Sequence, residues 1–357
     1  MKRKLMTMGP VCLSLALLVG LLAFVGNTAQ GALAAASQPA RPGTWGPEAS
    51  PENAAAAQAA LDWLRPQQEV TGGFGSPALS LEAVFALNAS SEKASDWRKQ
   101  PTGISLLNYV LSRGIFYSHK GPGETGKLAV ALAGQDACWP PLTPVPMDWY
   151  NPISGTFRGV NGSVDLAWAI LGTRALSQSV PVAAVQTLKG MQMDNGGWEW
   201  TPSYGEDTNS TSLVVQALLA AGEAPTSTAV IDGLAYLRGA QNTDGGFPYD
   251  PVSEWNDSDT NSTAFSIQAI LAAGQDPLTG TWYIISGTNG ASPVDFLRSL
   301  QLPDGSFEWQ KGYGSDLFAT EQAVAPLLGK PMLGKTAILA PCTNVPDRFS
   351  FLPLTSK

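Results

Sequence analysis

The sequence predicts an all-α protein: six helical hairpins closed into a ring, an α/α toroid with an inner circle of helices inside an outer one. Three observations carry this expectation. A glutamine–glycine–aromatic turn recurs four times, two long segments repeat at an offset of 52 residues, and the second helix of each repeat is too apolar to own a solvent face.

The turn has the spacing aromatic-Leu-x3-Gln-x3-Gly-x-aromatic. It is met by Trp63-Leu64…Gln68…Gly72-Gly73-Phe74, by Tyr236-Leu237…Gln241…Gly245-Gly246-Phe247 and by Phe296-Leu297…Gln301…Gly305-Ser306-Phe307. Thr187-Leu188…Gln192…Gly196-Gly197-Trp198 meets it apart from its first residue. Glutamine at a helix end can satisfy orphan carbonyls there, or amides at the start of a neighbouring helix. Glycine permits the left-handed conformation that ends a helix. The aromatic is expected to pack on the amide, so the turns read as clasps between hairpins and not as reaction sites.

Each hairpin is a mixed helix, a clasp, a polar loop and an apolar helix. The clearest pair starts at Val182 and Ala229 and closes with DTNSTSLVVQALLAAGE from Asp207 and DTNSTAFSIQAILAAGQ from Asp259. Looser copies occupy 54–90 and 293–329, and two degraded units lie between, through ETGKLAVALAGQD and SGTFRGVNGSVDLAWAILGTRAL. Mixed segments such as Leu234-Ala235-Tyr236-Leu237-Arg238 fit an outer layer. Segments such as Ala264–Leu271 fit an inner ring buried on more than one face.

The flanks and bulk composition bound the class. Lys2-Arg3-Lys4 followed by the apolar run Pro10–Val25 and small residues at 32–36 predicts a signal peptide over 1–36. A Pro-rich leader follows at 37–52, the toroid at 53–330 and a tail at 331–357. The chain's net charge is −8, and loss of the three signal bases leaves 18 Lys and Arg against 29 Asp and Glu. Such an acidic exported chain, secreted or held at the cell surface, excludes nucleic acid as a partner. Cys12 falls in the signal, so Cys138 and Cys342 are expected to pair as a disulfide.

The clasp resembles the QW repeat of squalene cyclases and the related repeat of protein prenyltransferase β subunits. Those families share a six-hairpin toroid with cobalamin carriers and complement-type thioester domains. The resemblance implies the fold, and the family chemistries can be checked residue by residue. Squalene-hopene cyclases carry D-x-D-D-T-A at an inner-helix start. Laid over it, Asp259 takes the first Asp and Thr263-Ala264 the T-A, but Asn261 stands at the proton donor and Ser262 beside it, with Asn209 in the other copy. An amide cannot deliver a strong acid's proton. Asp165 and Asp316 are the remaining acids to consider for a cyclase-like or prenyltransferase-like enzyme acting on an isoprenoid in the central cavity. Prenyltransferases bind zinc through Asp, Cys and His, whereas the single histidine, His119, sits in a loop-like YSHKGPG. Neither Cys138 nor Cys342 has a thioester context. Gly121–Lys127 fits a P-loop pattern, yet no buried strand precedes it and Leu128 follows the lysine. No cofactor, metal or catalytic set is expected.

The layout is similar to that of the cobalamin carriers. Asp207-Thr208 and Asp259-Thr260 open inner helices, as the ligand-facing rim does there, and Gln322–Lys330 matches their Q-x-x-P-x-L-x-G-K ending. The 27 residues after Lys330 are too few for the carriers' second domain. Trp198, Trp200, Tyr204, Tyr249, Trp255, Trp309 and Tyr313 all lie between a clasp and its following inner helix, and their polar-edged rings suit a flat or sugar-like ligand. The expectation is a non-catalytic binding module whose rim, formed by these aromatics with Asp207, Thr208, Asp259 and Thr260, holds a small molecule, corrinoid-like or isoprenoid, or another exported protein.

Overall fold

A computed structural model describes residues 49–343. The expected signal peptide, Cys12, most of the Pro-rich leader and the end of the tail lie outside the described residues. Among those residues no helix is long and apolar enough to cross a membrane.

Eleven α-helices form among the described residues: α1 Pro51–Gln67, α2 Pro77–Ser90, α3 Leu106–Ser118, α4 Pro122–Gly134, α5 Ser163–Ala175, α6 Val182–Lys189, α7 Thr208–Ala220, α8 Thr228–Ala240, α9 Thr260–Ala272, α10 Pro293–Ser299 and α11 Leu317–Leu327. The six apolar ones make the inner ring. Helices α2, α4, α5, α7, α9 and α11 each pack on the next, and α11 packs back on α2 to close the circle. Their buried faces run nearly all the way round, as in α9, where Ala264, Ile267, Ala269, Ile270 and Leu271 are all buried. Helices α1, α3, α6, α8 and α10 form the outer layer and bury one side each, as in α8 through Val230, Leu234 and Leu237.

The third hairpin departs from the expected six full pairs. Its outer position holds only a 3-10 turn, Pro146–Trp149, which packs on α4 and α5. Pro140, Pro141, Pro144, Pro146 and Pro152 crowd this stretch. Each removes a backbone donor and blocks the preceding turn, so a helix cannot propagate. Helices α4 and α5 approach most closely. A Cβ on Gly126 would lie 2.0 Å from the Trp168 carbonyl oxygen, so only glycine fits there.

The clasps are hydrogen-bonded joints. Each glutamine donates through its amide nitrogen to two carbonyls, one in its own turn and one in the next unit. Gln68 reaches Gly72 (2.7 Å) and Trp97 (3.0 Å), Gln192 reaches Gly196 (2.9 Å) and Ala229 (3.0 Å), and Gln241 reaches Gly245 (2.8 Å) and Trp282 (2.9 Å). Gln301 reaches Gly305 (3.0 Å) and Ala56 in α1 (2.8 Å). The bonds all run to carbonyls; no amide of a neighbouring helix is engaged by these side chains. At Gly245 φ is +89°, and a Cβ would lie 2.7 Å from the Ser292 carbonyl oxygen, which is why the turn needs glycine there.

Beyond α11 the chain becomes a strap across the C-terminal ends of the inner helices. Gln268 of α9 donates to the Lys330 carbonyl (3.4 Å), Met332 donates its amide to Gln216 of α7 (2.9 Å), and Ala337 donates to the Ala175 carbonyl at the end of α5 (2.7 Å). The expected disulfide between Cys138 and Cys342 is present and pins the strap beside α4. One end of the ring is therefore covered.

Candidate functional site at the open mouth

The N-terminal ends of the inner helices define the other mouth, and those of α7, α9 and α11 are each capped by an aspartate. Asp207 accepts the Ser210 amide (2.7 Å) and the Ser210 hydroxyl (2.7 Å). Asp259 does the same with Ser262 (2.8 and 2.7 Å), and Asp316 accepts the Ala319 amide (2.7 Å). These are N-caps, favoured by free amides and by the helix dipole. The fourth residue after each cap fixes the clasp: Thr211, Thr263 and Thr320 accept the backbone amides of Trp198, Phe247 and Phe307, each at 2.9 Å.

The first residues of α5, α7 and α9 reach forward to the next unit. Ser163 donates to the Glu199 carbonyl (2.7 Å), Thr208 to the Pro248 carbonyl (2.6 Å) and Thr260 to the Glu308 carbonyl (2.6 Å). The backbone amides of Thr208 and Thr260 also donate to the Tyr249 and Trp309 carbonyls (3.0 and 2.9 Å). The residue after each of those accepting carbonyls is Trp200, Tyr249 or Trp309. Three aromatics are thus pinned at equivalent places beside the N-termini of α5, α7 and α9.

Two of the loops are pre-organised copies of one another. Trp198 and Glu199 pair with Asp207 and Glu206, and Phe307 and Glu308 pair with Asp316 and Ser315. Glu199 accepts the amides of Ser203 (2.9 Å) and Gly205 (3.3 Å), and Glu308 those of Gly312 (3.0 Å) and Gly314 (2.9 Å). Each carboxylate thereby holds a loop that presents an edge-to-face pair, Trp200 with Tyr204 at 5.8 Å and Trp309 with Tyr313 at 5.3 Å between ring centres. The middle loop bridges only Phe247 to Asp259 and carries Tyr249 and Trp255.

The residues singled out from sequence fall into two groups. Trp200, Tyr204, Tyr249, Trp255, Trp309 and Tyr313 are exposed, from 41% for Trp309 to 85% for Trp255. Asp207, Thr208, Asp259 and Thr260 are buried beneath them. Trp198 does not reach the rim. It is fully buried, and its indole donates to the Leu188 carbonyl (2.8 Å), because the clasp aromatic and the exposed aromatic alternate along an extended strand. Burial raises Asp207 above the ordinary carboxylate range and takes Asp259 to about 6, against the lowering effect of the serine bonds. Burial, with the Asp207 carboxylate alongside, pushes the Tyr249 phenol up to about 12.

The ring axis holds a second polar group. Lys127 of α4 pairs with Glu82 of α2, and its ammonium lies 5.9 and 5.7 Å from the centres of the stacked rings of Phe85 and Trp168. Gln322 donates to Glu82 (3.3 Å) and accepts from Asn261 (2.8 Å). Glu321 sits in the same region, 1% exposed, and among the described residues neither of its carboxylate oxygens is hydrogen-bonded. Burial and then the neighbouring Glu82 hold its carboxyl well above the usual range. Its signal in sequence is a lone acid inside the apolar run LFATEQAVAPLLG, which the motif reading passed over.

The other sequence candidates have structural occupations. Asp165 accepts from the Asn161 amide (3.0 Å) and side chain (3.2 Å) in front of α5, and Asp316 is a cap. His119 is exposed at the end of α3, with its ring nitrogen 2.7 Å from the Ile115 carbonyl. Residues 121–127 are the first turns of α4, with Lys127 turned inward. Among the described residues no three His, Cys, Asp or Glu side chains converge as a metal site.

Residues 165–276 and 234–328 match the prenyltransferase alpha-alpha toroid domain family. Comparison with curated proteins finds no sequence match. Among solved structures, the type II terpene cyclase MstE from Scytonema is 14% identical, covering 78% of this chain and 97% of its own at a TM-score of 0.51. Haptocorrin in complex with Cbi is 13% identical over 83% of this chain and 71% of its own, at 0.48. Candida albicans protein geranylgeranyltransferase-I is 14% identical over 73% and 88%, at 0.45. The chain folds as an α/α toroid, and its residues 165–328 match the prenyltransferase alpha-alpha toroid domain.

Proposed function

We propose that this is an exported, non-catalytic binding protein that holds a small ligand at the open mouth of the toroid. The observation that carries the reading is the arc of Trp200, Tyr249 and Trp309, set at equivalent positions by the first residues of three successive inner helices. Large exposed rings whose backbone is fixed by bonds to the carbonyls just before them have less ordering entropy left to lose on binding. Asp207, Thr208, Asp259 and Thr260 support the site from beneath by fixing those loops. Lys127, standing beside the stacked rings of Phe85 and Trp168, narrows the interior and favours a ligand on the mouth over one threaded through the ring. Native mass spectrometry of residues 37–357 with corrinoids, sugars and polyprenyl compounds tests this. A stoichiometric adduct of unchanged ligand mass, lost in the Trp200→Ala/Trp309→Ala double variant, is expected. An adduct indifferent to both substitutions refutes the site.

A second reading, an enzyme acting on an isoprenoid within the ring, has one observation in its favour: the unpartnered, buried Glu321. Burial raises this carboxyl above the usual range, which favours its acid form inside the ring. Incubation with squalene and geranylgeranyl compounds, followed by product analysis, separates the readings. Conversion abolished by Glu321→Gln establishes the enzyme, and unchanged substrate removes it.

A further inference from the structure

The charge of the mouth goes further than its shape. Its three loops, 193–207, 242–259 and 302–316, carry Asp194, Glu199, Glu206, Asp207, Asp244, Asp250, Glu254, Asp257, Asp259, Asp304, Glu308 and Asp316, against the single base Lys311. Many of these acids are accounted for by the fold. Asp207, Asp259 and Asp316 are caps, Glu199 and Glu308 hold loop amides, and Asp244 and Asp304 accept the Gly246 and Ser306 amides of their turns. The carboxylates of Glu254 and Asp257 have no such duty: both residues are exposed, and although Gln310 donates to the Asp257 backbone carbonyl (3.2 Å), neither carboxylate has a hydrogen-bond or ion-pair partner among the described residues. Glu254 is next to Trp255, the most exposed ring of the set. Asp257 lines a cleft of about 520 Å³ together with Tyr313, Phe296, Asp244, Asp295 and Lys311. Tyr313, which pairs edge-to-face with Trp309, lines this cleft and so sets it beside one end of the aromatic arc.

Aromatic faces and carboxylates act in the same direction. The face of a tryptophan or tyrosine is the negative lobe of its quadrupole, and it attracts a cation within about 6 Å. Free carboxylates a few ångströms further away add to that attraction and raise the local concentration of cations. Both repel an anion, so a diphosphate-bearing molecule is the wrong occupant here. Resting on the rim reading above, we infer that the mouth selects a cationic small molecule carrying an alkylated ammonium group, its methyls against the rings of Trp309 and Tyr313 and its charge shared with Asp257.

The probe pair is choline and 3,3-dimethylbutan-1-ol, which have the same shape and differ in charge, with inorganic diphosphate as the anion and a neutral oligosaccharide as a further control. They are titrated into the disulfide-bonded protein by calorimetry and tryptophan fluorescence. Choline is expected to bind at least about tenfold more tightly than the neutral isostere, to weaken as salt rises, and to lose at least about threefold in Asp257→Asn and more in Trp309→Ala. Both positions are exposed, and unchanged melting curves check that the variants fold. Equal binding of the isostere, or tighter binding of diphosphate, overturns the cationic selection. Binding of the isostere or the oligosaccharide that is lost in Trp309→Ala leaves the rim standing while the charge argument falls. No saturable binding of any probe overturns both.

Discussion

Gln301 donates a hydrogen bond to the carbonyl of Ala56, 245 residues earlier in the chain, and thereby joins the last clasp to the first helix. The bond is the same one that Gln68, Gln192 and Gln241 make to their successors. A stack of hairpins becomes a ring when its final joint finds its partner at the beginning, and α11 packs on α1 and α2 behind that joint.

Gln301→Ala is expected to destabilise the protein by about 2 kcal/mol, since two carbonyls lose their donor at once. For a domain of this size that is a fall of roughly 5 °C in Tm. Differential scanning calorimetry of the variant beside wild type reads it directly. A change within about 0.5 kcal/mol means the joint adds nothing to ring closure.

Asp259 makes stability depend on pH in a stated direction. Its folded value is about 6 against an ordinary 3.8, raised first by burial. Between pH values of about 4 and 6 the native state holds more protons here than the unfolded chain does. This contribution to stability is therefore full at low pH and lost as pH rises through about 6. The whole difference amounts to roughly 3 kcal/mol. Asp259→Asn keeps an acceptor for the Ser262 amide and removes the titration. Urea melts of both proteins from pH 4 to 7.5 should show the variant gaining on wild type as pH rises, and parallel curves would contradict the assignment.

Gly126→Ala tests the closest helix pair. The added methyl meets the Trp168 carbonyl oxygen at 2.0 Å, and backbone cannot swing aside as a side chain can. Helices α4 and α5 must separate, at a cost of about 3 kcal/mol or more. A thermal melt indistinguishable from wild type would show that the two helices yield freely.

Removing the disulfide should free the strap before it unfolds the ring. The bond closes a loop spanning 204 residues, and such long closures are worth about 3–5 kcal/mol against the unfolded chain. In the Cys138→Ser/Cys342→Ser double variant, hydrogen exchange is expected to accelerate first at the amides of Met332 and Ala337, which bond Gln216 and Ala175. Uniform exchange across strap and inner helices would show that the strap is not an independent unit.

Much of this architecture is legible in the sequence because the devices that build it are local. The clasp is set by Gln, Gly and an aromatic at fixed spacing, and the inner helices announce themselves by Asp-Thr-Asn-Ser-Thr before an apolar run. The same locality explains what the sequence conceals. The run of prolines after Cys138 replaces a helix with a single turn, and a repeat count alone cannot see the substitution. Trp198 and Trp200 look alike as aromatics beside a clasp, yet one is core and the other rim, since extended residues point alternately. Glu321 reads as one polar residue in an apolar helix, and its isolation follows from the helices that surround it.

By itself the sequence determined the toroid and its six inner helices, the four clasps, the pairing of Cys138 with Cys342 and the loops from which the rim is made. Each of these is a short-range pattern whose physics is complete within a few residues, or an elimination among few partners. Tertiary structure decided the rest: that residues 330–343 cover one mouth while the aromatics stand at the other, that Lys127 of α4 pairs with Glu82 of the neighbouring α2, and that Glu321 has no hydrogen-bond partner among the described residues. Closing the ring brings together side chains from helices as distant in sequence as α2 and α11, and no local pattern encodes which of their groups will meet.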